Sequence, residues 1–290
     1  MIRSMLFIPG NNPAMLLNAD VHGADAIILD LEDAVSPLEK DAARILVRNA
    51  VKALAYQGCA LIIRVNPLGT DYFLPDLDMM VPLKPDMIMP TKVASPRDVQ
   101  EISEAIAAVE QKCGMEKGTV GLLPLLETAA GIENAYAIAS SDKRVRAIFL
   151  GAEDLTSDLR AKRSKAGNEI AYSRGRVVAA ARAAGVDAYD TPFTDVNDDP
   201  GMEADAALAR DLGFTGKAVI SPRHVEAVNR AFSPSEAEIE YAREVLAAIE
   251  EGKRLGRGAV SLRGKMIDKP IVDRANYVLS VAETLKGGAL

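Results

Sequence analysis

The sequence predicts an α/β protein, a (β/α)8 TIM barrel that carries a C-terminal helical extension. Three observations lead there. Eight short β-rich runs recur up to residue 220, stretches with helical periodicity or good helix formers lie between them, and the runs are nearly continuously apolar rather than alternating. Continuous apolar strands belong to parallel sheets covered on both faces, and eight of them with intervening helices close most simply into a barrel. A doubly wound open sheet is the competing architecture, but no GxGxxG follows the first strand to support a dinucleotide site.

The runs follow one another in order. SMLFIP at 4–9 and ADAIILD at 24–30 lead into a helix predicted over 38–56, and ALIIRV at 60–65 and DMIMP at 86–90 lead into one over 96–111. VGLLPLL at 120–126 precedes a helix over 129–140, VRAIFLG at 145–151 one over 171–184, and VDAYD at 186–190 one over 203–212, before KAVI at 217–220. The chain then changes character: 235–255 reads as one amphipathic helix, GRGAVSLRGKMIDKP as Gly-rich turns with a short strand-like piece, and 270–286 as a final helix. The expected division is a barrel domain over 1–232 and an extension over 233–290. Roughly 55 residues are few for an independent core, so the extension is expected to pack on this barrel or on a neighbouring subunit.

Composition narrows the class. Apolar residues make up 49 % of the chain and charged ones 26 %, as in an ordinary globular protein, and 41 acidic side chains against 34 basic ones give a formal charge of −7. That balance argues against a general nucleic-acid or anionic-membrane surface. No apolar run reaches the ~18 residues that span a bilayer, and MIRSMLFIPG lacks a secretory h-region and cleavage site, so a cytoplasmic protein is expected. Cys59 and Cys113 lack metal-ligand spacing, and His22 and His224 lack a partner motif, which sets aside a His-based zinc site and a Ser-His-Asp triad.

A barrel gathers its functional residues where strands end. The second run leads into Asp30, Glu32 and Asp33, the third ends at Arg64 and Asn66, the fourth leads to Lys92, the fifth ends at Glu127, and the sixth is followed by Glu153 and Asp154. An unpaired carboxylate is costly to bury, so a glutamate leaving a core strand needs water, a cation or a hydrogen-bond partner. Glu127 and Asp154 end adjacent strands and can converge on one hard cation; two carboxylates without histidine or thiolate favour Mg²⁺ over zinc. Helix caps or salt bridges are the other reading. Arg64 interrupts an apolar strand, and its fixed fork suits a substrate carboxylate or a developing enolate oxygen, or an ion pair with Asp30, Glu32 or Asp33. Lys92 invites a Schiff-base mechanism, against which nearby acids would hold it charged. Arg160, Lys162, Arg163 and Lys165, in LRAKRSKAG at 159–167, are either a solvated surface run or a grip on a phosphate-bearing handle, a coenzyme A tail or the phosphopantetheine arm of an acidic carrier protein. Asp268, from pattern alone, is a turn aspartate before Pro270.

Together RSMLFIPGNNPAM at 3–15, DAIILDLEDAVSPLEKDAAR at 25–44, IIRVNPL at 62–68, LLPLLETAAGI at 122–132, LGAEDL at 150–155, GFTGKAVISPRHV at 213–225 and GAVSLRGKMIDKPIVDRA at 258–275 resemble the citrate lyase β-subunit branch of the HpcH/HpaI aldolase/citrate lyase family. The resemblance runs in order along nearly the whole chain, and RAKRSKAGNEI at 160–170 is similar to that branch in particular. It implies a TIM barrel with a C-terminal lid, homotrimeric or built from trimers. It implies Mg²⁺-dependent cleavage of a citryl thioester, on an acyl carrier protein or coenzyme A, to oxaloacetate and an acetyl thioester. The family's metal acids fall on Glu127 and Asp154, its substrate-binding arginine on Arg64, and the lid aspartate that moves a proton in a neighbouring subunit's site on Asp268. Glu32 and Asp33 are candidates for handling the substrate hydroxyl. An acyl-transferring α-subunit is an implied partner. A stand-alone malyl-CoA or citramalyl-CoA lyase, or a (3S)-malyl-CoA thioesterase, is the alternative, and a non-catalytic assembly subunit would have no use for these four residues. Two positions depart from the family pattern: PTKV at 90–93, where many relatives read Pro-Lys directly, and Arg263, where lid sequences often carry Asp or Asn.

Overall fold

The computed structural model describes residues 1–256 and 260–287; residues 257–259, part of the Gly-rich turn expected after the amphipathic helix, lie outside the described residues. The chain divides into two compact units, 2–229 and 230–290, with Met1 grouped with the second.

The first unit contains the strands β1 (Ser4–Pro9), β2 (Ala26–Asp30), β3 (Ala60–Val65), β4 (Met87–Pro90), β5 (Gly121–Leu122), β6 (Leu125–Leu126), β7 (Ala147–Leu150), β8 (Asp187–Asp190) and β9 (Gly216–Val219). Every pairing is parallel, in the order β5-β4-β3-β2-β1-β9-β8-β7-β6. β5 and β6 are the two halves of one predicted run, parted at Leu123–Pro124 because proline has no N–H for the ladder. The run still hydrogen-bonds on both sides: Leu123 N–H donates to Ile88 O at 2.9 Å, and Phe149 N–H donates to Pro124 O at 3.0 Å. The ring therefore closes as eight strands, one for each predicted run.

One buried cluster takes a residue from every strand position, among them Met5, Ile28, Ile62, Met89, Leu125, Phe149, Tyr189 and Ala218. Because side chains alternate along a strand, these are the inward positions, and they fill the barrel's interior. Two residues further along the same inward columns stand Asp30, Arg64, Glu127 and Thr191.

Helix boundaries follow local chemistry. Ser95 and Asp98 form a capping box at the start of Pro96–Lys112. Asp198 caps Asp199–Leu212, whose first turn holds Pro200, so this helix begins four residues before the predicted 203. The predicted 129–140 helix is two short ones, Ala129–Glu133 and Ala135–Ala139, separated at Asn134. Phe73–Met80 was not predicted; Pro75 lies within its first turn, where the missing N–H costs nothing.

The second unit holds the helix Glu236–Arg254, the antiparallel hairpin β10 (Val260–Leu262) and β11 (Lys265–Ile267), and the helix Lys269–Lys286. Small as it is, it buries a cluster of its own around Ala242, Val245, Ile267 and Ala275. The hairpin turns through Arg263 (φ 49°) and Gly264 (φ 79°), two successive left-handed residues as a type I′ turn requires. Asn or Asp tolerates the first of these positions better than arginine does. Here Arg263 instead bonds Glu244 at 2.9 Å and lies 5.6 Å over the Tyr241 ring. Among the described residues no helix is long and apolar enough to cross a membrane.

Candidate active site

A cavity of about 310 Å³ opens at the C-terminal ends of the barrel strands. Its floor is apolar: Phe7 meets Phe149 edge-on with ring centroids 6.2 Å apart. Charged groups ring its mouth, and Asp30, Asp33, Arg64, Glu127 and Asp154 all line it.

Arg64 is fixed from two sides. Its Nε and Nη2 donate to the two oxygens of Asp30 at 2.7 and 2.6 Å, Nη1 lies 3.4 Å from Glu32 Oε2, and the guanidinium sits 5.1 Å over Phe7. Burial works against its charge, but the hydrogen bonds to Asp30 outweigh it and hold the pKa above the ordinary arginine value. The ion-pair reading of Arg64 and the substrate reading are compatible: Asp30 anchors the fork and the cavity receives the rest. Asp30 in turn accepts the Glu32 and Ala34 N–H groups, which sets the β2 loop. Asp33 is exposed at the rim, its N–H donating to Glu32 Oε2 at 2.9 Å.

Lys92 is the residue whose importance sequence reading understated. Its backbone adopts φ 56°, a left-handed conformation that costs a non-glycine residue about 1 kcal/mol or more. Its N–H thereby donates to Glu127 Oε1 at 2.8 Å, while its ammonium lies 2.9 Å from Glu32 Oε1 and 3.0 Å from Asp154 Oδ2. Burial opposes the charge, yet Glu32 and Asp154 raise its pKa above the ordinary lysine value. The two ion pairs therefore favour the ammonium over the neutral amine that Schiff-base chemistry needs.

Glu127 is only 4 % exposed. Burial, reinforced by the negative charge of Asp154 and opposed by Lys92, pushes its carboxyl up to about 8. Burial likewise pushes Glu32 up, against the pull of Arg64. Asp154 sits in the first turn of the helix Ala152–Asp158 and is partly exposed. Gly151 makes the approach of the two acids feasible, since a Cβ there would lie 2.8 Å from Glu127 Cβ. Among the described residues there is no cluster of three metal-ligating side chains. Two converging carboxylates that repel each other do suit a hard divalent cation, and Mg²⁺ commonly takes one or two protein carboxylates and leaves its other positions to water and substrate oxygens.

The remaining predicted residues divide. Arg163 is bound by Glu153 and Glu169, and Lys165 by Asp195 and Asp198, whereas Arg160 and Lys162 are exposed and in no ion pair among the described residues. Asp268 belongs to the second unit, exposed, where it caps the helix Lys269–Lys286 by accepting the Ile271 N–H at 3.2 Å. A turn-aspartate reading foresaw a polar residue before Pro270 but not the cap.

Comparison with known proteins places the chain in a family. The family model described as HpcH/HpaI aldolase/citrate lyase matches residues 3–222. The chain is 42 % identical over 280 residues to citrate lyase subunit beta of Leuconostoc mesenteroides subsp. cremoris, covering 97 % of this chain and 93 % of that one. It is similar to the crystal structure of CitE from Mycobacterium tuberculosis in complex with magnesium, acetoacetate and coenzyme A, with TM-score 0.81, 29 % identity, and coverage of 97 % and 98 % of the two chains. It is also similar to a citrate lyase beta subunit from M. tuberculosis complexed with oxaloacetate and magnesium, with TM-score 0.68, 28 % identity, and coverage of 80 % and 96 %. With a barrel-mouth cavity of this kind, a family model spanning most of the chain and a relative this similar along nearly its full length, the protein is a carbon–carbon lyase and belongs to the HpcH/HpaI aldolase/citrate lyase family.

Proposed function

We propose that the chain cleaves a citryl thioester to oxaloacetate and an acetyl thioester, with Mg²⁺ held by Glu127 and Asp154. The observation that carries this is that a bidentately anchored arginine and two carboxylates, Glu127 and Asp154, line one cavity with an apolar floor, of a size for a small acyl group. The bond broken joins the hydroxyl-bearing carbon to the carbon α to the thioester. As it breaks, the hydroxyl proton departs, the carbonyl of oxaloacetate forms, and the electron pair of the broken bond becomes a thioester enolate. Mg²⁺, when bound, supplies Lewis-acid stabilisation of the developing keto oxygen. Arg64, held in place by Asp30, stabilises the enolate's negative charge. Glu32 and Asp33 are the candidates for handling the hydroxyl proton: Asp33 lines the cavity, and Glu32 is buried with a raised pKa. Asp268 from the lid of a neighbouring subunit, in a trimer-based assembly, protonates the enolate carbon.

At about 310 Å³ the cavity takes the acyl end rather than a whole coenzyme thioester. The phosphate-bearing handle then lies outside, where Arg160 and Lys162 have charge to offer. Coenzyme A and the phosphopantetheine arm of an acyl carrier protein present the same chemistry there, and an acyl-transferring α-subunit would supply the citryl group in the second case.

The test is keto-acid release from citryl-CoA, malyl-CoA and citramalyl-CoA side by side in the presence of Mg²⁺. Oxaloacetate from citryl-CoA at the highest kcat/KM is the expected result. A preference for either of the other thioesters would keep the bond-breaking chemistry and overturn the citryl assignment.

A further inference from the structure

Behind the cavity wall, on the outward face of β8 and β9, four charged side chains are buried together. Lys217 Nζ lies 2.7 Å from Asp190 Oδ2 and 2.6 Å from Asp205 Oδ2. Arg174 Nη2 reaches the same two aspartates at 2.8 and 2.7 Å. Two positive and two negative charges balance. Desolvating ions still costs several kcal/mol each, roughly, and well-packed apolar residues commonly serve a barrel wall as well or better. Stability alone therefore gives this quartet no reason to exist.

Its connection inward does. Lys217 has a third partner, the Thr191 carbonyl oxygen, at 2.5 Å. Thr191 follows β8 directly, is 1 % exposed, and lines the cavity. Its Oγ1 accepts the Ala152 N–H at 3.2 Å. Ala152 opens the helix that carries Asp154, and Gly151 before it has no side chain with which to cap that helix. A series of hydrogen bonds and ion pairs thus runs from the quartet, through the carbonyl and hydroxyl of Thr191, to the first turn of the helix that carries Asp154.

We propose that Thr191 is a positioning residue for Asp154, held in register by the buried Arg174–Asp190–Asp205–Lys217 quartet. The proposal rests on the reading of Asp154 as a metal ligand, and two readouts keep the two apart. The first is amide hydrogen exchange over residues 152–158 of the full chain. Thr191→Val, which keeps the shape and loses the acceptor, is expected to exchange there about tenfold faster, while Thr191→Ser exchanges as the wild type does. Wild-type exchange in Thr191→Val, or equal acceleration in both variants, overturns the proposal. Lys217→Arg keeps the charge but moves the donor, and is expected to accelerate the same segment; if it does not fold, Asp205→Asn, which loosens one of Lys217's ion pairs, gives the same readout. Wild-type exchange in a folded variant of this kind removes the quartet from the proposal.

The second readout is direct Mn²⁺ titration followed by electron paramagnetic resonance. A Kd about tenfold weaker in Thr191→Val, restored in Thr191→Ser, is expected. Unchanged affinity in Thr191→Val alongside lost affinity in Asp154→Asn shows that Thr191 does not position Asp154. Unchanged affinity in Asp154→Asn itself contradicts the metal reading of the site, and the exchange data then still decide whether Thr191 fixes the helix.

Discussion

Glu127 leaves the barrel core as a carboxyl that burial disposes to keep its proton. With its carboxyl pushed up to about 8 by burial and by Asp154, the metal-free protein holds this proton far more tightly folded than unfolded. The sign follows: this contribution to stability is present below the unfolded value near 4.5 and is lost as pH rises through 8. Mg²⁺ needs the carboxylate, so its affinity should increase as pH rises from 7 to 9, and binding at pH 7 should release close to one proton. Calorimetric titration in buffers of different ionisation enthalpy measures that proton; a proton seen in the wild type and missing in Glu127→Gln assigns it to Glu127, and an equal release in both would contradict that assignment. Arg64→Lys keeps the charge but loses the fork that grips Asp30, so kcat should drop about 10²- to 10³-fold, read by steady-state kinetics. The individual acids were legible as residues of the barrel mouth because each ends an apolar run or follows one within three residues. The ring of contacts around Lys92 was not, because it depends on a left-handed backbone that a lysine does not announce.

At the scale of elements, strands were easier to read than helix ends. A strand buried on both faces is an uninterrupted apolar run bounded by turn residues, and all eight such runs became strand positions. Helix starts depend on one capping side chain. Asp198 before Pro200 was a legible signal that the amphipathic pattern starting at 203 obscured, and Phe73–Met80, with a proline inside, carries no helical signature of ordinary strength. The capping box at Ser95 offers a quantitative check. Ser95→Ala removes the acceptor for the Asp98 N–H at 3.3 Å and should cost about 1 kcal/mol, measured by denaturant unfolding with an unchanged m-value. The hairpin turn at Arg263–Gly264 explains one departure from the family pattern: the left-handed position accepts arginine because Glu244 and Tyr241 hold its side chain.

At the scale of the whole molecule, the residues of the proposed mechanism are divided between the two units. The barrel gathers Asp30, Glu32, Arg64, Lys92, Glu127 and Asp154, while Asp268 stands on the second unit. No single-chain sequence argument could assign Asp268 a role, since its proposed target belongs to another copy; only the resemblance pointed to it. The Arg174–Asp190–Asp205–Lys217 quartet was equally illegible, because four ordinary charged residues from separate elements meet only once the barrel has closed. If Asp268 acts in trans, Asp268→Asn and Arg64→Lys proteins, each nearly inactive alone, should regain a measurable fraction of wild-type turnover when refolded together, since some mixed sites then hold both intact residues. A mixture no more active than its parts would contradict a shared site. The account's central claim is the metal held by Glu127 and Asp154, and the most direct measurement is oxaloacetate release from citryl-CoA with Mg²⁺, with EDTA, and after Mg²⁺ is restored, in wild-type, Glu127→Gln and Asp154→Asn proteins. The account predicts activity that EDTA abolishes and Mg²⁺ restores in the wild type alone; turnover that survives EDTA, or variants that respond to Mg²⁺ as the wild type does, would contradict it.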